Sequence, residues 1–196
     1  ANARDASEVL RAIRDHFDPA EDFLLLPGVP FDTLDFTSLT LNLGSKMVLD
    51  ATRSRQVVVR DIPPVDVEAV RYLHPRIRAV RVLEGCLAAV QVEGEGRSVV
   101  EALVRADALR AAKLVAVVSP DVDLRDRESL LWGIFTRFDP ARDVVFTETE
   151  LHGSWPVHRG RMGIDATFKP GYPDPVVMDP SVVHHVNQRW HQYFSA

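Results

Sequence analysis

Two short stretches of the chain carry the residue types best suited to chemistry. Gly44-Ser45-Lys46-Met47-Val48-Leu49-Asp50-Ala51-Thr52 joins a cation to an aspartate and a hydroxyl, and Arg161-Met162-Gly163-Ile164-Asp165-Ala166-Thr167 repeats that pattern. The Gly44–Thr52 block could form part of a phosphate-binding or interface loop, with Lys46 supplying charge and Asp50 bonding backbone amides around the turn; Thr52 and, in the second stretch, Arg161, Asp165 and Thr167 are the accompanying motif or anion-contact candidates. The plainer reading is a tight connection that fixes the chain after it. His158, Arg159, Arg161 and Lys169 form a local basic cluster that could take an anion or else pair with the abundant carboxylates.

Other candidates are weaker. His184, His185 and His191 invite a metal, but a two-histidine site on a helix needs a spacing of about three or four residues, and no pair among them has it. Cys86 has no cationic neighbour in sequence that would lower its pKa, so it reads as a small buried apolar residue. Trp132 and Trp190 stand among apolar partners at helical spacing, which favours packing over stacking on a cofactor. Nucleophile elbows, Gly-rich phosphate loops and zinc spacings are missing from the sequence, so no catalytic, cofactor-binding or metal-ligating residue is assigned.

The elements that position these residues come in two copies. Arg4–Asp22 reads RDASEVLRAIRDHFDPAED and Arg125–Asp143 reads RDRESLLWGIFTRFDPARD, aligned without a gap; the Lys46 and Arg161 blocks follow in the same order. Each copy predicts a helix capped by Asp5 or Asp126, with Val9, Leu10, Ile13 and Phe17 on one stripe and Leu130, Leu131, Ile134, Phe135 and Phe138 on the other. Asp18-Pro19 and Asp139-Pro140 are expected to end them, because the residue before proline avoids helical angles. Strands are expected at Phe23–Leu26 and Asp143–Phe146. Upstream of the second copy, Val80–Leu83, Leu87–Val92 and Lys113–Val118 read as strands and Ser98–Ala112 as a helix.

That alternation predicts an α/β fold, a mixed sheet with helices packed on it, in a duplicated unit whose first copy is truncated. The boundary is placed after residue 53, near a strand expected at Val57–Val59 and a turn at Asp61–Pro64: 1–53 is the partial copy, 54–196 the complete one with a C-terminal helical arm. A unit lacking its leading strands exposes sheet edge and apolar surface, so the chain is expected to be part of a longer protein. In the arm, Asp179-Pro180 starts a helix carrying Val183, Val186, Trp190 and Tyr193, and with Phe194 these form a candidate interface.

A net charge of −5 opposes a nucleic-acid surface, which needs a concentrated basic stripe. Apolar runs stay far short of the roughly 18 residues of a membrane span. A single cysteine and the want of a basic-then-apolar start suit a cytoplasmic protein.

With both blocks in view, the sequence resembles the C-terminal region of the UbiD decarboxylase family. The resemblance rests on Glu84-Gly85-Cys86, on Lys113-Leu114-Val115-Ala116-Val117-Val118-Ser119-Pro120-Asp121-Val122-Asp123, on Trp132 with Thr136–Asp143, and on Phe31–Phe36 followed by Gly44–Thr52. It implies a carboxy-lyase that releases carbon dioxide from a small aromatic or unsaturated acid, some members serving quinone biosynthesis. It further implies prenylated flavin mononucleotide with a divalent metal and potassium, held by a barrel domain that has no counterpart here. The expected role of this portion is therefore assembly, by self-association or by contact with the rest of the parent decarboxylase, with no cofactor of its own and no catalytic residue to carry over. Two departures are the Glu93-Gly94-Glu95-Gly96 run, where the family places basic residues, and Arg161 in place of a lysine. A non-catalytic binding or scaffold protein that kept the fold is the alternative.

Overall fold

The computed structural model describes residues 2–53, 63–173 and 176–194. It opens with helix α1 (Ala6–His16), whose Asp5 carboxylate accepts from the Ser7 and Glu8 amides. A second, four-residue helix α2 (Pro19–Asp22) follows at once. As expected from Asp18-Pro19, α1 stops just before that pair, at His16 with Phe17 as its C-cap; Asp18 then caps α2, with Pro19 at the first helical position where its missing N–H costs nothing. Strand β1 (Phe23–Pro30) then pairs antiparallel with β2 (Leu43–Leu49).

The larger layer begins at α3 (Val67–Tyr72), capped by Asp66. Strands β3 (Ile77–Leu83) and β4 (Leu87–Val92) form a hairpin whose turn places Glu84 and Gly85 at φ of 51° and 62°. Helix α4 (Arg97–Leu103) crosses to β5 (Leu114–Val118), a strand buried along its whole length. Helix α5 (Arg127–Phe135), short helix α6 (Pro140–Asp143) and strands β6 (Val144–His152) and β7 (Trp155–Ala166) complete it. The sheet order is β3-β4-β5-β7-β6, with β4, β5 and β7 parallel and the outer strands antiparallel to them. The expected α/β class with a mixed sheet is what the chain adopts.

Side chains of β5 alternate between two cores. Val115 and Val117 face α4, packing with Val99, Val100, Leu103 and Val104. Leu114, Ala116 and Val118 face α5 and the first block, packing with Ile134, Phe138, Met162 and Ile164, against which Leu10, Ile13, Phe23, Met47 and Leu49 lean. Residues from the N-terminal block thus close the core of the larger sheet.

Ser98–Ala112 is not one helix. Regular structure stops at Leu103, Ala106 is extended, and Asp107–Leu109 forms a separate 3₁₀ turn. The reason is tertiary: the Arg161 guanidinium reaches across from β7 and donates to the carbonyls of Leu103 and Val104 at 3.1 and 2.6 Å, satisfying the groups a further turn would have used. The strand expected at Val57–Val59 lies outside the described residues, as do residues 61 and 62 of the turn placed after it.

One order of elements occurs twice. Helix, short helix and antiparallel strand pair run α1-α2-β1-β2 and again α5-α6-β6-β7. The registers correspond: Phe23 opposite Leu49, Leu24 opposite Val48 and Leu25 opposite Met47 match Val144 opposite Ile164, Val145 opposite Gly163 and Phe146 opposite Met162.

Candidate functional site

The two blocks meet at a buried polar junction. Asp139, the cap of α6, accepts from the Ala141 amide at 3.1 Å, and its own amide donates to Asp143 at 2.8 Å. From the first block, the Ser45 hydroxyl donates to Asp139 at 2.6 Å, the Ser45 amide donates to the other carboxylate oxygen at 2.9 Å, and the Ala141 amide donates to the hydroxyl at 2.8 Å. β2 therefore completes the cap of a helix that is far away in sequence. The contact is reciprocated, since α2 packs against β7 and the Lys113 ammonium donates to the Phe17 carbonyl at 3.2 Å.

Around this junction Arg142 donates to Asp143, the Thr37 carbonyl and the Tyr172 hydroxyl. Its bond to Asp143 holds the guanidinium above its ordinary range. Lys169 donates to the carbonyls of Arg137, Asp165 and Thr167 at 3.0, 2.8 and 3.1 Å and sits 3.7 Å from the carboxylates of Asp143 and Asp165. Burial lowers its pKa, and the carboxylates work against that shift. Tyr172 is pushed up by burial.

The six motif residues have definite partners. Asp165 accepts from the Thr167 hydroxyl at 2.6 Å and amide at 3.1 Å, both residues being buried, and Asp50 takes Thr52 in the same way at 2.7 and 2.9 Å. Lys46 pairs with Asp35 at 2.9 Å and lies 3.8 Å from the centroid of the Phe31 ring. Arg161 serves the Leu103, Val104 and Ala112 carbonyls.

His158, Arg159, Arg161 and Lys169 are not gathered into one cluster. The His158 ring stacks on Phe146 at 4.2 Å, Arg159 faces Glu150 at 3.9 Å, and Lys169 sits in the junction. Cys86 is buried, and burial pushes its thiol up to about 12. On α7 (Pro180–Tyr193) His184 bonds Gln188 and His185 lies 3.4 Å from Arg189. Among the described residues no group of three or more His, Cys, Asp or Glu could hold a metal.

Apolar surface is the other feature. None of α7 is buried: Trp190, Tyr193 and Phe194 are 56%, 50% and 70% exposed, with Trp190 and Phe194 in contact at 4.8 Å between centroids. α5 leaves Leu131, Trp132 and Phe135 exposed.

Sequence reasoning missed Ser45, Asp139, Arg142, Asp143 and Tyr172 as members of one network. The repeated Asp-Pro-Ala-x-Asp string was the available signal, because in both copies the last Asp takes the amide of the first: Asp18 to Asp22 at 2.9 Å, Asp139 to Asp143 at 2.8 Å.

A family model described as the C-terminal domain of 3-octaprenyl-4-hydroxybenzoate carboxy-lyase matches residues 1–51 and 63–166. The chain belongs to the UbiD family. A relative in Chlamydia pneumoniae, described as a subunit of 4-hydroxybenzoate decarboxylase, is 30% identical across 96% of this chain and 31% of its own length. The chain therefore spans less than a third of that curated relative. Among solved structures, the closed form of Sedimentibacter hydroxybenzoicus vanillic acid decarboxylase is 22% identical, with a TM-score of 0.47 over 66% of this chain and 31% of that one. An evolved dimeric form of the UbiD-class enzyme HmfF from Pelotomaculum thermopropionicum, in complex with prFMN, is also 22% identical, with a TM-score of 0.45 over 83% and 43%.

In this UbiD-family domain the cations of the two blocks and the junction, Lys46, Arg142, Arg161 and Lys169, are each bound to oxygens of the chain itself. No helix among the described residues is long and apolar enough to cross a membrane.

Proposed function

We propose that this chain is the assembly-supporting portion of a UbiD-type carboxy-lyase, and that the complete protein decarboxylates a small aromatic acid of the quinone-precursor type. The prenylated flavin, its divalent metal and potassium are held outside the residues described above, and the setting is cytoplasmic. Family membership supports the reaction class. One observation carries the assembly role: the polar groups that could do chemistry are engaged with each other, whereas large aromatics on α7 face solvent. Trp190, Tyr193 and Phe194 dock on a second copy or on the rest of the parent decarboxylase, in keeping with the weight of Trp and Tyr at interface centres.

The repeated order of elements and its matching register support descent of residues 1–53 and 54–196 from one duplicated unit, the first copy being truncated. The decisive experiment uses the full-length protein matured with prenylated flavin and measures carbon dioxide release across hydroxybenzoates and related aromatic acids. Turnover of one or more acids is expected. A full-length protein that retains no flavin and releases no carbon dioxide overturns the reading in favour of a scaffold that kept the fold.

A further inference from the structure

Among the described residues, three surfaces of the first block and of α5 lack a partner that the corresponding surfaces possess. The first is a strand edge. β7 accepts β5 as a parallel neighbour on the side away from β6, and its counterpart β2 has only β1 among the described residues. The second is a sheet face. The pair Val145 and Gly163 lies under α4, so closely that a Cβ on Gly163 would meet Val104 at 2.5 Å. The corresponding pair Leu24 and Val48 is uncovered, at 44% and 48% exposure.

The third is a helix face. α1 lies over the β3–β4 turn, where Arg14 donates to the Glu84 carbonyl at 2.9 Å, Arg11 pairs with its carboxylate at 3.1 Å, and Leu10 packs into the core that holds Cys86. In the gap-free alignment of the two copies, Leu10, Arg11 and Arg14 correspond to Leu131, Trp132 and Phe135. Those three are exposed by 40%, 71% and 58%.

Every missing partner is a piece of one continuous stretch. The strand edge lacks an equivalent of β5, the sheet face lacks an equivalent of α4, and α5 lacks an equivalent of the β3–β4 turn. In the second copy that stretch immediately precedes α5, and its equivalent would immediately precede α1. We propose that the β2 edge, the Leu24/Val48 face and the Leu131/Trp132/Phe135 face together form the docking site for a single occupant. That occupant is a hairpin–helix–strand segment of the same polypeptide, N-terminal to the residues described here.

The exchange is reciprocal. The first unit lays α1 over the turn of the second, and the second lays α5 over the turn of the first, just as β2 caps α6 while α2 packs on β7. Hydrophobic burial drives this docking, and strand addition to β2 satisfies its open amides and carbonyls. Because Trp132 and Phe135 stand where Arg11 and Arg14 do, the turn that docks on α5 is apolar where the β3–β4 turn carries Glu84. The inference rests on reading the chain as the C-terminal portion of a longer family member, which agrees with its 31% share of the Chlamydia relative.

The test uses the full-length polypeptide with a photoreactive benzoylphenylalanine at Trp132 in one variant and at Val48 in another, one on each of the faces assigned to the docked segment and both exposed among the described residues. After irradiation at dilute concentration, cross-linked peptides are mapped by mass spectrometry. Expected are links in the monomer-mass band from both positions to one region upstream of residue 2. A dimer-mass product, a link to residues 176–194, or no link overturns the proposal. Amide exchange on the unmodified full-length protein gives an independent reading: slow exchange along both edges of β2 is expected, and alternating fast amides overturn it. Carbon dioxide release on the same preparations reports separately on the enzyme reading, so an active enzyme without upstream links refutes this inference alone.

Discussion

Ser45 is 2% exposed and ties β2 to the cap of α6 through one donated and one accepted bond of its hydroxyl. Ser45→Ala leaves a buried carboxylate short of a donor, so a loss of about 1–3 kcal/mol in denaturant unfolding is expected, with a loosened first block. An unchanged midpoint would show that the junction bonds are not formed in solution. His158, stacked on Phe146 and edged by Phe23, is held below the usual imidazole range by burial. The unfolded ring therefore binds its proton at higher pH than the folded one, and stability falls as pH drops below about 6.5, then levels once the folded ring also protonates. Melting temperature should drop between about pH 7.5 and about pH 5.5 in the natural protein and drop less in His158→Gln; equal slopes would assign the effect elsewhere. Cys86, with its thiol pushed up to about 12, stays protonated at neutral pH and should resist iodoacetamide until the chain is unfolded, whereas fast labelling of the native protein would contradict its burial.

Equivalent strands in the two blocks differ in what covers them, and that difference explains their residues. Gly163 faces α4 with no room for a side chain, while its counterpart Val48 stands in the open. Gly163→Ala should cost about 1–3 kcal/mol through overpacking against Val100 and Val104. Val48→Ala in this chain alone should shift stability by under about 0.5 kcal/mol. Thermal unfolding of the two variants side by side checks the pair, and similar losses would mean that Val48 is covered. For α7, Trp190→Ala separates an interface from a local role: smaller assemblies by sedimentation with an unchanged melting temperature are expected. Lost stability with unchanged assembly would instead place the helix back on its own sheet.

Across the whole molecule, the N-terminal block acts as a wall of the larger sheet: Leu10, Ile13, Phe23, Met47 and Leu49 lean on the core face opposite α4. Much of this was readable in the sequence wherever the interaction is local. The caps at Asp5, Asp126 and Asp179 bond amides two or three residues onward, so their pattern is written into consecutive residues. The same holds for the Asp50/Thr52 and Asp165/Thr167 turns, and the apolar run of β5 announced a strand buried on both faces. Tertiary structure decided the rest. Arg161 looked like an anion ligand beside other cations, yet packing of β7 against α4 delivers its guanidinium to the Leu103 and Val104 carbonyls and thereby sets where α4 stops. Asp139 is satisfied by Ser45 from 94 residues away, and Lys169 by carbonyls gathered from the α5–α6 connection and the end of β7. Hydrogen bonds between neighbours in sequence leave a periodic trace in residue type, whereas bonds made by folding distant segments together depend on distances that only the packed cores impose.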